Sequence, residues 1–165
     1  MAYDGRALAN LVLEKCDQQG RLLTHMALQK VLYYAHGWHL AEQNAPLVAG
    51  GFEAWQHGPV IRSVYKAFKG AGDQPIKTRA TALDMATGIA HEPTCQLTLP
   101  QSELLDAVIG AYAHLHAYEL SNMTHEHGSP WDRIWNSGSA VTPGMRIPDS
   151  EIKEHFIFIR HGATN

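Results

Sequence analysis

Histidine is the residue type whose abundance could support chemistry in this sequence, because the 165-residue chain contains 11 of them. Neutral imidazole nitrogens bind transition metals and transfer protons near neutral pH. His36 and His39 are three residues apart on a predicted helix and could share a face, whereas His125 and His127 would share a side only in an extended segment. There is no HExxH motif and no cysteine pair at zinc-binding spacing. We therefore predict no metal site, and a site assembled from distant segments stays the open alternative.

A second kind of chemistry is indicated by the segment FIFIRHGATN, residues 156–165. Its Arg160-His161-Gly162 string after an apolar run resembles the opening motif of histidine phosphatases, in which the histidine is phosphorylated. Phosphoryl transfer to histidine also needs further cationic groups and a proton donor for the leaving group. The upstream pattern is mainly helical and lacks the alternating strands and helices of a parallel sheet. A phosphohydrolase that uses His161 is therefore only a remote alternative.

Composition and charge are those of an ordinary globular protein. Hydrophobic residues make up 45% and charged residues 18% of the chain, and the formal net charge is −3. This charge disfavours nucleic acid as a partner. The sequence lacks a long apolar stretch and a signal-peptide pattern, and its two cysteines lie far apart, so we expect a cytoplasmic protein with reduced thiols and no membrane contact. No nucleophile-elbow, Walker or dinucleotide motif is present, which predicts no cofactor and no enzymatic activity.

Helical spacing of apolar residues dominates the chain and predicts the elements that would position any site. Two clear helices are expected from a cap at Asp4 to about Gln19, and from a cap at Thr24 to about Asn44. Further helices are predicted to begin at Gly58-Pro59, Ser102, Tyr118, Pro130 and Asp149 or Ser150, with a strand possible at Gln96–Leu99. At Pro130 the segment resembles a capping box, with Ser129 as the cap and Asp132 in place of the usual glutamate. The last helix would bury Ile152, Phe156 and Ile159 and end at a left-handed Gly162, although a short strand is also possible for its apolar run.

Together these patterns predict a mainly α fold. We expect one compact domain over residues 1–165, with about six helices and a small β-hairpin or short sheet near residues 46–57. Residues 71–99 have no clear stripe, and a variable loop around 71–95 is a candidate for partner choice, because loops tolerate change without loss of the core.

Four blocks of the sequence resemble a known family, the Panacea-domain (SocA-like, phage-associated) proteins. They are LQKVLYYAHGWHLAEQNAPL at 28–47, FEAWQHGPVIRSVYKAFKGAG at 52–72, ELSNMTHEHGSPWDRIW at 119–135 and IPDSEIKEHF at 147–156. The blocks occur in the family's order and cover most of residues 24–156, whereas the C-terminal tail 157–165 lies outside the match. Met123 stands where leucine is commoner in the family.

The resemblance implies a helical antitoxin of a bacterial or phage toxin–antitoxin pair that binds and neutralises a cognate toxin protein. It also implies an alternative, an adaptor that delivers its partner to an AAA+ protease, as at least one family member does. No catalytic residues accompany the family. The motif residues, which are candidates for scaffold or partner binding, are Trp38, Trp55, His57, Gly58, Pro59, Tyr65, His125, Pro130 and Trp131.

Overall fold

The computed structural model describes residues 1–136 and 145–162 of the chain. In this described part the helices are α1 (Gly5–Gln18), α2 (His25–Gln43), α3 (Arg62–Phe68), α4 (Leu99–Tyr112), α5 (Ala117–Thr124), α6 (Pro130–Trp135) and α7 (Asp149–Gly162). The strands are β1 (Phe52–Trp55), β2 (Gly58–Val60), β3 (Ala82–Leu83), β4 (Ala90–His91) and β5 (Arg146–Ile147). The prediction of a mainly α fold with a small sheet is confirmed.

The first two helices begin and end at the predicted capping residues. The Asp4 carboxylate accepts a hydrogen bond from the backbone N–H of Arg6 at 2.8 Å, and the Thr24 hydroxyl accepts one from Ala27 at 3.2 Å. Asn44 ends α2 in the left-handed conformation with a φ of 55°. These side chains and turns satisfy backbone groups that a helix end leaves unpaired.

Helix α2 lies at the centre of the molecule, where it contacts α1, α3, α4, α5, α7 and β2. Thirteen of its nineteen residues are buried, on every side of the helix. A helix that is buried all round is a core element rather than a surface helix. Because α2 also carries polar residues on this buried surface, the core must satisfy their hydrogen bonds.

Strand β1 forms the middle of a three-stranded antiparallel sheet in the order β2-β1-β5. Trp55 pairs with Gly58 across the turn, and Phe52 pairs with Ile147 of β5. The strand β5 is contributed from more than 80 residues further along the chain, which is why the local sequence predicted only a hairpin.

The prediction of a helix beginning at Gly58-Pro59 is wrong, since both residues belong to β2 and α3 begins at Arg62. Gly58 has a φ of 115°, a conformation that a side chain rarely allows. The following turn is held by α2: the Gln29 side chain accepts a hydrogen bond from the Ile61 N–H at 2.9 Å and donates one to the Ile61 carbonyl at 3.1 Å. Contacts with a distant helix therefore outweigh the local Gly-Pro pattern.

The start of α4 also differs from the prediction. Gln96–Leu99 is not a strand, and the helix begins at Leu99 rather than after Ser102. Thr98 and Gln101 form a capping box, in which the Gln101 side chain accepts from the Thr98 N–H at 3.0 Å and the Thr98 hydroxyl accepts from the Gln101 N–H at 3.3 Å. Such a Thr-x-x-Gln pair defines a helix start at the sequence level, four residues before the start that Ser102 would give.

The apolar run at Phe156–Ile159 is helical and belongs to α7, so the strand-and-turn geometry of the phosphatase motif does not form there. Ile152 and Phe156 are buried as predicted, while Ile159 is half-buried. Gly162 is the last helical residue and does not adopt the predicted left-handed φ. The end of the predicted tail, residues 163–165, lies outside the described residues.

Candidate functional site

The most unusual side chain in the described structure is that of Lys30, which is 1% exposed in the middle of α2. Its Nζ atom donates a hydrogen bond of 2.9 Å to the carbonyl oxygen of Pro59 in β2. Burial lowers the pKa of this amine from 10.5 to about 7, because the charged form loses its hydration. Lysine is almost never fully buried unless paired, so this position has a specific role in the interior.

Gly58 allows the lysine to reach β2. A methyl group placed on Gly58 would lie 2.6 Å from Cε of Lys30 and 2.7 Å from the hydroxyl oxygen of Thr124. Both distances are shorter than any real contact of a Cβ atom. Glycine is thus required at this position for two reasons: the backbone has a positive φ, and side chains of α2 and α5 approach it closely.

Hydroxyl groups of the α5–α6 segment donate hydrogen bonds to the hairpin turn and to backbone carbonyls within the segment itself. Ser121 donates to the carbonyl of His57 at 2.8 Å, and Thr124 donates to the carbonyl of Ser121 at 2.7 Å. Ser129 donates to the carbonyl of Thr124 at 2.9 Å and also caps α6 by accepting from the Asp132 N–H. The predicted cap at Ser129 is confirmed.

The carboxylate of Asp132 takes a different role from the one that a capping box would give it. It accepts from the N–H of Gly128 at 2.9 Å rather than from Ser129, the capping residue itself. This contact lowers the pKa of Asp132. The turn before α6 is therefore held by two side chains, the Ser129 hydroxyl and the Asp132 carboxylate.

The aromatic part of the region is a stack of His125 on Trp131, with ring centres 3.8 Å apart. The indole N–H of Trp131 donates to the carbonyl of Trp55 at 2.6 Å. Burial and the nearby Lys30 both lower the pKa of His125, so the ring is neutral at pH 7. Its Nε2 atom is buried and has no hydrogen-bond partner among the described residues.

We call this arrangement the Lys30 site, comprising Lys30, Gly58, Pro59, Thr124, His125 and Trp131. It brings together residues from three sequence blocks that were recognised separately. Most of the predicted motif residues lie in or beside it, namely Trp55, His57, Gly58, Pro59, His125, Pro130 and Trp131. Their assignment to partner binding stays a prediction.

The two remaining motif residues lie apart from the site or at its edge. Tyr65 packs on Trp55 with ring centres 4.7 Å apart, and both rings are half-buried. Trp38 lies elsewhere on α2, where it donates to the Tyr112 hydroxyl at 3.2 Å and packs against Phe156. Of the motif side chains, His57 is exposed, and those of Trp38, Trp55, Tyr65 and His125 are half-buried, so these five have accessible surface.

Sequence reasoning missed Lys30 itself. The apolar spacing gave no signal for it, because Gln29 and Lys30 lie off the apolar face formed by Leu28, Val31 and Leu32 and would be expected to face solvent. Both are buried and both bond to the backbone that leads from the hairpin into α3. Lys30 is buried only because α2 is covered on every side by other elements, which the period of the helix does not show.

The histidine pair that could have shared a metal serves two other contacts. His36 accepts from the Val48 N–H through Nδ1 at 3.1 Å, so its Nε2–H donates to Asp149 at 2.9 Å. His39 bonds to the carbonyl of Ala45 through Nδ1 at 2.6 Å. Within residues 1–136 and 145–162, no group of three or more histidine, cysteine, aspartate or glutamate side chains is placed to hold a metal ion. A helix long and apolar enough to cross a membrane is likewise absent from these ranges.

What the Lys30 site can do chemically follows from how its donors are used. Lys30 donates to β2 and Ser121 to the hairpin turn, while Thr124 donates to a carbonyl of its own helix, so these donors are used inside the protein. Such contacts fix the relative positions of α2, the hairpin and α5–α6. The Lys30 site is therefore an internal scaffold of hydrogen-bonded elements, in which residues of three sequence blocks meet.

Comparison with known proteins assigns this scaffold to a family. Residues 28–132 match the family described as antitoxin SocA-like, Panacea domain, and the chain belongs to that family. The matched span contains every residue of the Lys30 site. Antitoxin SocA of Caulobacter vibrioides (strain NA1000 / CB15N) is 37% identical over 158 residues, which cover 95% of this chain and 84% of the relative. No solved structure matches the chain.

Proposed function

We propose that this protein is a non-enzymatic cytoplasmic antitoxin that neutralises a cognate toxin protein by binding it directly. The observation that carries this proposal is membership of the SocA-like antitoxin family, with 37% identity to antitoxin SocA along nearly the whole chain. The Lys30 site supports it, because its polar groups stabilise a scaffold on which the surface can vary.

The test is co-expression with the product of the adjacent reading frame, which on this proposal encodes a small toxic protein. We expect growth of the host to be restored and the two proteins to co-purify in a defined ratio. A chain that neither restores growth nor retains the neighbouring protein in a pull-down would contradict the proposal. Gly58→Ala serves as the negative control. It disrupts the scaffold without altering an exposed side chain, so this variant should fail to restore growth.

Delivery of the toxin to an AAA+ protease is the other mode that the family resemblance implies. The two modes differ in the fate of the toxin, because masking leaves its half-life unchanged whereas delivery shortens it. Pulse-chase labelling of the toxin, with and without this protein and in hosts that lack individual AAA+ proteases, separates them. A toxin half-life that is the same with and without this protein in every host excludes delivery.

A further inference from the structure

The imidazole ring of His39 connects three separate segments of the chain. His39 lies on α2 and is 3% exposed, and its Nδ1 atom lies 2.6 Å from the carbonyl oxygen of Ala45. Its Nε2 atom lies 3.3 Å from the side-chain nitrogen of Gln101, in the first turn of α4. The same glutamine accepts a hydrogen bond from the hydroxyl of Tyr3 at 2.7 Å. One ring nitrogen is therefore used on the loop after α2, and the other on α4 and the N-terminal segment.

The orientation of the Gln101 amide is fixed by the backbone. Its oxygen accepts from the Thr98 N–H at 3.0 Å, which is half of the capping box that begins α4. A backbone N–H can only donate, so the amide oxygen must face Thr98 and the amide nitrogen must face His39. That nitrogen is also only a donor, so Nε2 of His39 must accept. Because the Ala45 carbonyl requires a proton on Nδ1, the ring is held in its neutral Nδ1–H form.

A proton on Nε2 is incompatible with this arrangement. It would place two N–H donors face to face, at the 3.3 Å that now separates Nε2 from the amide nitrogen. Rotation of the Gln101 amide would offer its oxygen to the charged ring, but it would also turn the NH2 group towards the Thr98 N–H. Outward movement of the side chain would give up the contacts with both Thr98 and Tyr3. In either case the capping box of α4 opens.

The N-terminal segment depends on the same glutamine. The N–H of Tyr3 donates to the Leu47 carbonyl and its carbonyl accepts from the Ala49 N–H, both at 2.8 Å. At the other end of the residue, the hydroxyl contacts Gln101 and the carbonyl of Gln96. The segment before α1 is thus attached on one side to the loop after α2 and on the other to the start of α4. Loss of the Gln101 contact weakens the second attachment.

The groups around His39 favour its neutral form. The titratable groups that face the ring are His36 and Glu42 of α2 and the amino group of Met1, while α7 presents Asp149 to His36. Burial lowers the pKa of His39 below its ordinary value of 6.5; His36 and the amino group act in the same direction, and the backbone carbonyl and Glu42 oppose it. A ring that is released into water regains its ordinary affinity for a proton. A fall in pH therefore favours the open form.

We propose that His39 is a proton-sensitive latch, which holds the N-terminal segment and the first turn of α4 on α2 while its ring is neutral and releases both in mild acid. The first residues of α4 are exposed, so they can detach while the buried contacts of α2 are kept. The conformation of this part of the chain thus depends on pH near the ordinary range of histidine. The latch is independent of the proposed function, because it does not involve the toxin.

Substitution of Gln101 distinguishes the latch from burial as the cause of a pH effect. In Gln101→Glu the side chain offers only oxygen atoms, which can accept from the Thr98 N–H and from a protonated His39 at the same time. NMR titration of the ring C–H signals of His39 follows the proton directly. We expect a midpoint below 6.5 in the parent chain and above 6.5 in the variant. A midpoint below 6.5 in both chains would show that burial alone sets it, and would overturn the inference.

Amide hydrogen exchange measures the release itself, because Thr98 and Gln101 carry the two backbone amides of the capping box. In the parent chain their protection should fall about three- to tenfold between about pH 7.5 and pH 5.5. The upper limit follows from a free ring with a pKa of about 6.5, which at the lower pH is charged about ten times more often than neutral. In Gln101→Glu the protection should rise over the same range.

The matched control is His39→Gln, whose amide oxygen can accept from Gln101 without titrating. Its capping-box amides should keep the same protection at both pH values. Protection that falls as much in this variant as in the parent chain would assign the effect to another group and overturn the inference. If His39→Gln does not fold, the comparison of the parent chain with Gln101→Glu still decides, because the latch requires pH effects of opposite sign in these two chains.

Discussion

Gly37 of α2 lies directly beneath the ring of Phe156 of α7. A methyl group placed on Gly37 would come within 2.2 Å of Cε2 of that ring. The ring also packs against Tyr33, Tyr34 and Trp38, with ring centres 5.0–5.8 Å apart. The glycine therefore permits the central helix and the last helix to approach closely around one aromatic side chain.

Gly37→Ala should destabilise the protein by about 2–4 kcal/mol, because the added methyl displaces a ring that is packed on all sides. This outweighs the usual benefit of alanine over glycine inside a helix, roughly 1 kcal/mol. Urea denaturation measures the change, with Gly110→Ala in α4 as the control, since a methyl there meets open space. Equal effects of the two substitutions would contradict the packing argument. Adding Phe156→Leu to Gly37→Ala should recover part of the loss.

Lys30 should make stability depend on pH in a defined direction. The unfolded amine titrates near 10.5 and the folded one near 7, so between these values the unfolded chain binds more protons. The free energy of unfolding therefore rises with pH over this window, and below pH 7 the full cost of the buried charge is present. Lys30→Met removes the dependence.

The measurement is the difference in unfolding free energy between Lys30→Met and the parent chain, which cancels the titration of other groups. The parent chain should gain about 2 kcal/mol relative to the variant between pH 7 and pH 9. Lys66→Met, which removes an exposed lysine of α3, should show a constant difference. A difference for Lys30→Met that is equally flat would mean that the amine stays charged when folded.

The His36–Asp149 contact holds the start of α7 against α2, and its loss should loosen that helix. Asp149→Ala leaves the buried Nε2–H of His36 without its acceptor, which should cost about 1–3 kcal/mol. Glu154→Ala, an exposed acidic residue of the same helix, should change stability by less than about 0.5 kcal/mol. Hydrogen exchange should show lost protection in α7 for the first variant only.

Asn10→Ala should release the β3–β4 hairpin from the body of the protein. The substitution removes three buried hydrogen bonds and leaves the Ala80 N–H without its partner, so we expect a loss of about 2–3 kcal/mol and faster amide exchange in residues 80–93. If the predicted partner-choice region around residues 71–95 contacts the toxin, this variant should also bind the toxin more slowly, because the segment is no longer held in place. Unchanged exchange in this segment would show that the ion pairs of Arg79 with α1 hold the hairpin instead.

Local chemistry was sufficient to predict several elements. Asp4, Thr24 and Ser129 cap helices as their sequence context indicates, and the apolar spacing of Ile152 and Phe156 identifies the buried side of α7. Each of these signals acts over three or four residues, within reach of a single helical turn. The four sequence blocks likewise identified the family before any contact was known.

Other features depend on residues far apart in sequence. Gly58-Pro59 is a common way to begin a helix, yet Lys30 and Gln29 hold this segment extended through contacts some 30 residues away. The sequence of the β3–β4 hairpin shows no clear alternation of apolar and polar residues, because each strand has only two residues. The side chain that attaches it, Asn10, lies 70 residues earlier in the chain. A periodic pattern cannot report such contacts.

The sequence alone determined the helical class, most helix boundaries and the family, because these follow from short-range capping, apolar period and motif order. Only the tertiary structure decided that the motif blocks meet around a buried lysine and that the β3–β4 hairpin is bound to α1 through Asn10. Both depend on which side chains the packed core brings within hydrogen-bond distance. That distance is fixed by the fold as a whole and by no single segment.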